Sequence, residues 1–242
     1  MSVERIDKLL ASQGTKSRSD VKKLIKSGAV TVNGEKIKDF SMKINPEKEE
    51  VCIYGKPVSI AGYVYLMMNK PAGVVCATRD KKEKTVIDII PEEFRRKDIF
   101  PVGRLDKDTE GLLIITNDGE FAHKVTSPEK NIYKTYHAVT DSSINDSDIE
   151  AFENGIMFRD GTKCRKAFLR QLNDETNPLV EVRICEGMFH QVKKMLAVRG
   201  KNVLYLKRIA IGKLYLDSAL NKNEVRHLND IDKLNIFLDE LH

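Results

Sequence analysis

The stretch PVGRLDKDTEGLLIITNDGE, Pro101 to Glu120, sets three carboxylates (Asp106, Asp108 and Glu110) among the cations Arg104 and Lys107, then runs directly into apolar residues. A carboxylate held ionised by a neighbouring cation can act as a nucleophile or as a general base. Asp106 and Glu110, four residues apart, could also divide acid and base roles as glycosidase carboxylates do. A surface ion pair is the plainest alternative. Nucleotide-binding loops are excluded, because neither GxGxxG nor GxxxxGK[ST] occurs in the segment.

Such a loop needs a rigid support, and the run Leu112 to Thr116 predicts a buried strand, closed by a turn at Asn117, Asp118 and Gly119. YVYLMMNKPAG predicts a second buried strand, Tyr63 to Met68, ending in a Pro-Ala-Gly turn. KTYHAVT and LVEVRICEG alternate, with Val180, Val182 and Ile184 on one face and Glu181 and Arg183 on the other. Short helices are expected in FAHKVTS, IEAFENG and HQVKKMLAVRG, the last with Val192, Met195 and Leu196 on one stripe and Gly200 beyond its end. The pattern is α+β, a mixed and mostly antiparallel sheet flanked by helices.

The first 43 residues read differently. They hold ten Lys/Arg against five acids, which is the whole of the formal charge of +5; the remainder balances. VERIDKLLASQG places Ile6, Leu9 and Leu10 at helical spacing, with Gly14 as terminator. SRSDVKKLIKSG carries a capping pair, Ser17 and Asp20, an apolar face of Val21, Leu24 and Ile25, and Gly28 at its end. AVTVNGEKI predicts a hairpin through Asn33-Gly34. A polyanion handle and a merely solvated lysine-rich surface both fit this charge. The chain thus divides into residues 1–55, a linker at 56–62 with Pro57 and Gly62, and a larger domain at 63–242.

Other classes are disfavoured. No apolar run approaches 18 residues and the N-terminus is charged, so a cytoplasmic protein is expected. Cys52, Cys76, Cys164 and Cys185 form no CxxC pair and the histidines lack ligand spacing, so no structural metal is expected.

In order and signature, residues 1–43 resemble the S4-type RNA-binding domain. GRLDKDTEGLLIITNDG resembles the signature of the pseudouridine synthases, in the branch typified by the small-subunit (16S) rRNA enzyme. MMNKPAGVVCAT, KTYHAVT, EGMFHQVKKML and LYLKRIAIGKLYLD follow in the family's order, so the resemblance spans nearly the whole chain. It implies that Asp106 is the essential aspartate, that Lys193 is the basic residue paired with it, and that Tyr136 stacks on the target base. It also implies that Arg104 helps to hold the RNA, that Leu206 supports the site, and that Lys16, Arg18, Lys22, Lys23 and Lys26 face structured RNA. His190 is given no catalytic role, and Asp108 and Glu110 are expected to serve loop structure or to face solvent.

The reaction implied is an isomerisation in which uracil leaves the ribose, rotates and rejoins through C5, without cofactor or metal. The resemblance further implies 16S rRNA within a small-subunit assembly particle as the substrate, and the lack of a heptad or interface pattern predicts a monomer. A 23S rRNA synthase of the same branch and a non-catalytic S4-type RNA-binding protein are the alternatives. Near the end the family's GEYR is replaced by Asn223-Glu224-Val225-Arg226, which puts a local turn in question.

Overall fold

The computed structural model describes residues 3–11, 17–46, 48–58, 62–96, 98–173, 176 and 178–238. Lys16 and Gly14 lie outside them. The chain falls into two compact units, one drawn from residues 1–64, 96–99 and 117–119, the other from 65–95, 100–116 and 120–242.

In the smaller unit, β1 (Glu4–Arg5) leads into α1 (Ile6–Ala11), followed by α2 (Arg18–Lys26), β2 (Val30–Val32), β3 (Glu35–Lys36), β4 (Lys43–Ile44), β5 (Val51–Ile53) and β6 (Lys56–Pro57). Ser17 caps α2: its Oγ accepts from the Asp20 amide at 3.2 Å and donates to the Asp20 carboxylate at 2.6 Å. Asn33 and Gly34 both take positive φ, 49° and 86°, as the tight β2–β3 turn requires. The sheet runs β3-β2-β5-β6, so Lys56 and Pro57 belong to a strand, and β1 pairs separately with β4. Ile6, Leu9 and Leu10 of α1 and Val21 and Ile25 of α2 close a core with Val30, Val32, Ile44 and Val51. This leaves Arg18, Lys23 and Lys26 exposed, while the Lys22 ammonium lies 4.8 Å from the centre of the Phe40 ring.

The larger unit contains β7 (Tyr65–Lys70), β8 (Phe100–Val102), β9 (Glu110–Thr116), α3 (Gly119–Thr126), β10 (Lys134–Thr140), α4 (Asp146–Asn154), β11 (Phe168–Asn173), β12 (Leu179–Ile184), α5 (Gln191–Val198), β13 (Val203–Ile211), β14 (Leu214–Tyr215), β15 (Val225–His227) and α6 (Asp230–Asn235). Its sheet runs β11-β12-β10-β13-β9-β7-β15, with β8 added to β9 and β14 to β13. All pairings are antiparallel except β9 with β13. That parallel contact needs Gly111. Its φ is 103°, and a Cβ there would collide with the Arg208 carbonyl oxygen.

The β9 strand is buried along its whole length and begins two residues before the apolar run, at Glu110. On one side of the sheet Val180, Val182 and Ile184 pack with Phe152 of α4 and with Val192, Met195 and Leu196 of α5, the stripe expected from their spacing. A second core joins Met67, Leu112 and Ile114 to Phe121 and Val125 of α3. The turn before β15 forms without the family's glycine. Asn223 occupies the left-handed region instead, with φ 72°, and its N–H donates to the Asn69 carbonyl at 2.8 Å. No helix among the described residues is long and apolar enough to cross a membrane.

Candidate active site

The β8–β9 hairpin carries Asp106 in its connection, and several fixed contacts shape that loop. Leu105 turns inward, 7% exposed, and its N–H donates to Cys76 Sγ at 3.3 Å. The Thr109 N–H donates to the Asp106 carbonyl at 3.1 Å, and the Gly73 N–H to the Lys107 carbonyl at 2.8 Å.

Beneath the loop lies Lys70, the last residue of β7, with no exposed surface. Its ammonium donates to the carbonyls of Thr109 (2.8 Å), Pro71 (3.0 Å), Asp106 (3.1 Å) and Lys107 (3.3 Å). Burial lowers its pKa, opposed in part by Cys76, Asp108, Glu110 and Asp106. The carbonyls that curl around it are oriented by a single cation, so the loop's backbone and Lys70 fix one another.

The Asp106 carboxylate is partly exposed and meets two cationic or ionisable groups from α5. Its Oδ2 lies 3.5 Å from Lys193 Nζ and its Oδ1 3.6 Å from His190 Nε2. Lys193 makes a closer bond to Asp108 Oδ1, at 2.6 Å, which holds the Asp108 carboxyl below its usual range. The expected Asp106–Lys193 pair is therefore a shared one. Asp108 does more than face solvent: although exposed, it fixes the ammonium that also reaches Asp106.

His190 precedes the first turn of α5 with φ 54° and ψ 34°, a left-handed conformation that costs a non-glycine residue energy. That bend directs the imidazole towards Asp106 and stacks it on Phe189, with ring centres 3.8 Å apart. Phe189 itself is exposed. The bend is braced by Gln191, whose Oε1 accepts from the Met188 N–H at 3.0 Å and whose Nε2 donates to Glu186 at 2.6 Å.

These groups open onto a cleft of about 470 Å³ within the larger unit. Asp106, Arg104 and Lys107 come to it from the loop, Tyr136 from β10, Leu206 from β13, and Phe189 and His190 from the start of α5. Tyr136 is buried in the same core cluster as Leu105 and Leu206 and also lines the cleft, so it fills core and presents a surface to the cleft at once. Arg104 lies exposed on the rim. Lys193 stands just outside the lining and acts on the cleft through Asp106. Glu110, by contrast, is buried: Tyr205 donates to it at 2.6 Å and Lys222 at 2.8 Å. Burial raises its pKa and these two bonds more than offset the rise. Glu110 thus ties β9 to β13 and to the turn before β15, and the alternative of an Asp106–Glu110 acid–base pair has no support in the geometry.

A carboxylate with cations on one side and an aromatic ring nearby suits a planar base attached to a sugar. The family model described as RNA pseudouridylate synthase matches residues 64–198, and the S4 domain model matches residues 4–51. The chain belongs to the RNA pseudouridine synthase family. It is 44% identical to an uncharacterized RNA pseudouridine synthase of Bacillus subtilis over 93% of this chain and 95% of that protein. It is 36% identical to ribosomal small subunit pseudouridine synthase A of Escherichia coli over 93% and 96% of the two chains. A crystal structure of a pseudouridylate synthase superposes with a TM-score of 0.68 at 33% identity, covering 96% of this chain and 99% of that one. The chain is thus an RNA pseudouridine synthase carrying an S4 domain.

Three contributors to this site escaped the sequence reading. Lys70 ends an apolar run in NKPAG, and a lysine closing a buried strand was the available signal. Asp108 was assigned to the loop, and nothing in its spacing shows that Lys193 comes nearer to it than to Asp106. His190 carried no distinguishing mark except its place before a helix.

Proposed function

We propose that this protein isomerises a specific uridine of small-subunit (16S) ribosomal RNA to pseudouridine, with Asp106 as the reacting carboxylate. The observation that carries the reading is the placement of Asp106 at the cleft wall, on a loop pinned by Lys70, within 3.6 Å of both Lys193 and His190. A stacked uridine cannot enter such a cleft, so the nucleotide must leave its helix, at a cost of a few kcal/mol. Tyr136 offsets part of that cost by stacking on the base, on the order of 1–3 kcal/mol. Asp106 then assists departure of uracil from C1′, as nucleophile or as base, and Arg104 on the rim holds the surrounding RNA. The Lys193 ammonium lies beside the Asp106 carboxylate, 3.5 Å from its Oδ2.

Residues 1–55 form the RNA-binding domain, and Lys16, Arg18, Lys22, Lys23 and Lys26 supply phosphate contacts. The enzyme works as a monomer in the cytoplasm, on ribosomal RNA within a small-subunit assembly particle, and no cofactor enters the reaction. Likeness to small-subunit synthases, the Escherichia coli one among them, supports the choice of RNA.

Mapping pseudouridines in both large ribosomal RNAs, with and without the protein, tests the reading. One site in 16S rRNA should disappear on deletion and return with the wild-type gene but not with Asp106→Asn. Loss from 23S rRNA alone would move the substrate to the large subunit, and full activity of Asp106→Asn would remove Asp106 from the chemistry.

A further inference from the structure

The floor of the cleft holds two cations that the reaction as described leaves unused. Lys134 stands two residues ahead of Tyr136 on β10, and Arg208 lies directly across from Tyr136 on β13. Both line the cleft, yet they are only 8% and 4% exposed. Their hydrogen bonds go to carbonyls: Lys134 Nζ donates to Ile132 at 2.6 Å, and Arg208 Nε to Leu112 at 2.8 Å. Arg208 Nη2 is buried without a hydrogen-bond partner, and no carboxylate pairs with either side chain among the described residues.

Two buried cations side by side are costly. Burial and the neighbouring guanidinium lower the pKa of Lys134 to about 8. A structural role does not require this, since an apolar pair of similar size would fill the same space more favourably. An unpartnered guanidinium edge beside the aromatic wall calls instead for an anionic oxygen. Backbone phosphate and the uracil ring are the two sources of one. Arg104, exposed on the rim, is placed for a phosphate; Arg208, nearly buried and directly across from Tyr136, is placed for the edge of a base stacked on that ring.

We propose that Arg208, assisted by Lys134, binds the uracil carbonyl oxygen that becomes negative when the glycosidic bond breaks. The idea rests on the uridine reading above and adds a leaving-group role to it. As N1–C1′ cleaves, its electron pair passes to N1 and, by conjugation, to O2 and O4. The same pair later forms the C5–C1′ bond; the proton on C5 is lost and N1 gains one, so the product is an isomer. A fixed donor aimed at the developing charge favours the transition state over the bound uridine, and losing such a donor costs roughly 100-fold or more in rate.

The test compares full-length wild type with Arg208→Met on two 16S rRNA transcripts, one with uridine and one with 5-fluorouridine. Fluorine withdraws electrons and makes the base a better leaving group. Single-turnover consumption of the target nucleoside should fall roughly 100-fold on the uridine transcript. On the fluorinated one the loss should be at least tenfold smaller, with RNA binding changed less than about threefold. Lys134→Met should show the same pattern more weakly, and Arg208→Lys should recover part of the rate.

Equal losses on both transcripts would overturn the proposal in favour of a structural role. Weaker binding with a shallower salt dependence would overturn it in favour of a phosphate contact. If Arg208→Met does not fold, the Arg208→Lys and Lys134→Met arms decide by the same criterion. A wild type that converts no uridine in the 16S transcript or in a parallel 23S transcript would remove the uridine reading itself, and this proposal with it; an active wild type with equal losses removes this proposal alone.

Discussion

The cations of α2 and those around the cleft are put to opposite physical uses. Arg18, Lys23 and Lys26 project into solvent from a helix whose other face is buried, and the contact of Lys23 with Asp20, at 3.8 Å between two exposed side chains, is a loose one. Lys70, Lys134 and Arg208 are nearly or wholly buried, and each has at least one donor fixed on a backbone carbonyl. Exposed charges act through a long-range field that salt screens, and their effects are graded and share the work. Buried ones act through geometry at hydrogen-bond range, and moving one by an ångström removes its effect. Attraction to RNA and the handling of one nucleotide call for these two kinds of charge. The molecule places them in different units.

The sharpest way to break the comparison is at Lys193, which shares features of both. It is partly exposed, yet its Nζ is held 2.6 Å from Asp108 and 3.5 Å from Asp106. Lys193→Met should lower turnover by on the order of 10²–10³-fold, since Asp106 loses the cation beside it. Asp108→Asn should cost less than about tenfold, because the ammonium is then free to move onto Asp106. Single-turnover rates for the two variants check this, and a larger defect in Asp108→Asn would mean that positioning of Lys193 matters more than its charge.

Burial of Lys134 makes a second difference measurable in the absence of RNA. Its pKa in the fold, about 8, lies below that of an unfolded lysine, ~10.4. At pH values between these two the unfolded chain binds more protons, so this group makes stability rise with pH across that window, and its full penalty is present below it. The rise should amount to roughly 3 kcal/mol. Urea denaturation at pH 7 and pH 10 should show it as a difference between wild type and Lys134→Met, which lacks the titration. Parallel pH profiles for the two proteins would contradict the assignment.

How much of this could be read beforehand depended on the distance along the chain over which each feature is encoded. Asn33-Gly34, the Ser17 cap and the stripe of Val192, Met195 and Leu196 are local, and each lies in the expected element. Strand ends were less legible. β9 reaches back to Glu110 because its carboxylate finds Tyr205 and Lys222, 95 and 112 residues away, and because Gly111 allows β13 to approach. Asp106 stood out through a family signature, whereas composition alone left it an ordinary ion-pair candidate. The neighbourhood of Arg208 and Tyr136 depends on a cross-strand register that shifts between Thr135 and Tyr136, a bulge that no local pattern announces.

Lys70 tests the buried side of the comparison for stability. Lys70→Met leaves four carbonyls without this donor but also removes the cost of burying a charge. Unmet backbone acceptors cost about 1–3 kcal/mol each, so a net loss of about 2 kcal/mol is expected, a fall of roughly 4–8 °C in the unfolding midpoint. Calorimetry measures it, and an unchanged midpoint would show that the loop is held by the remaining contacts from Cys76 and Gly73.

On the exposed side the smallest single effects are expected, and they should add. Replacing Lys23 and Lys26 by Gln should weaken RNA binding roughly three- to tenfold at moderate salt, leaving the single-turnover rate at saturating enzyme unchanged. Two lost phosphate contacts should reduce the slope of log affinity against log salt by about 1.5. Binding titrations at several salt concentrations measure that slope directly. An unchanged slope would mean that the α2 lysines are solvated surface after all, and that affinity for RNA comes from elsewhere, beginning with the rim residues Arg104 and Lys107. A rate that falls with the slope would mean that the exposed charges also set the geometry of the reacting nucleotide, and the division between field and fixed contact would fail at its weaker end.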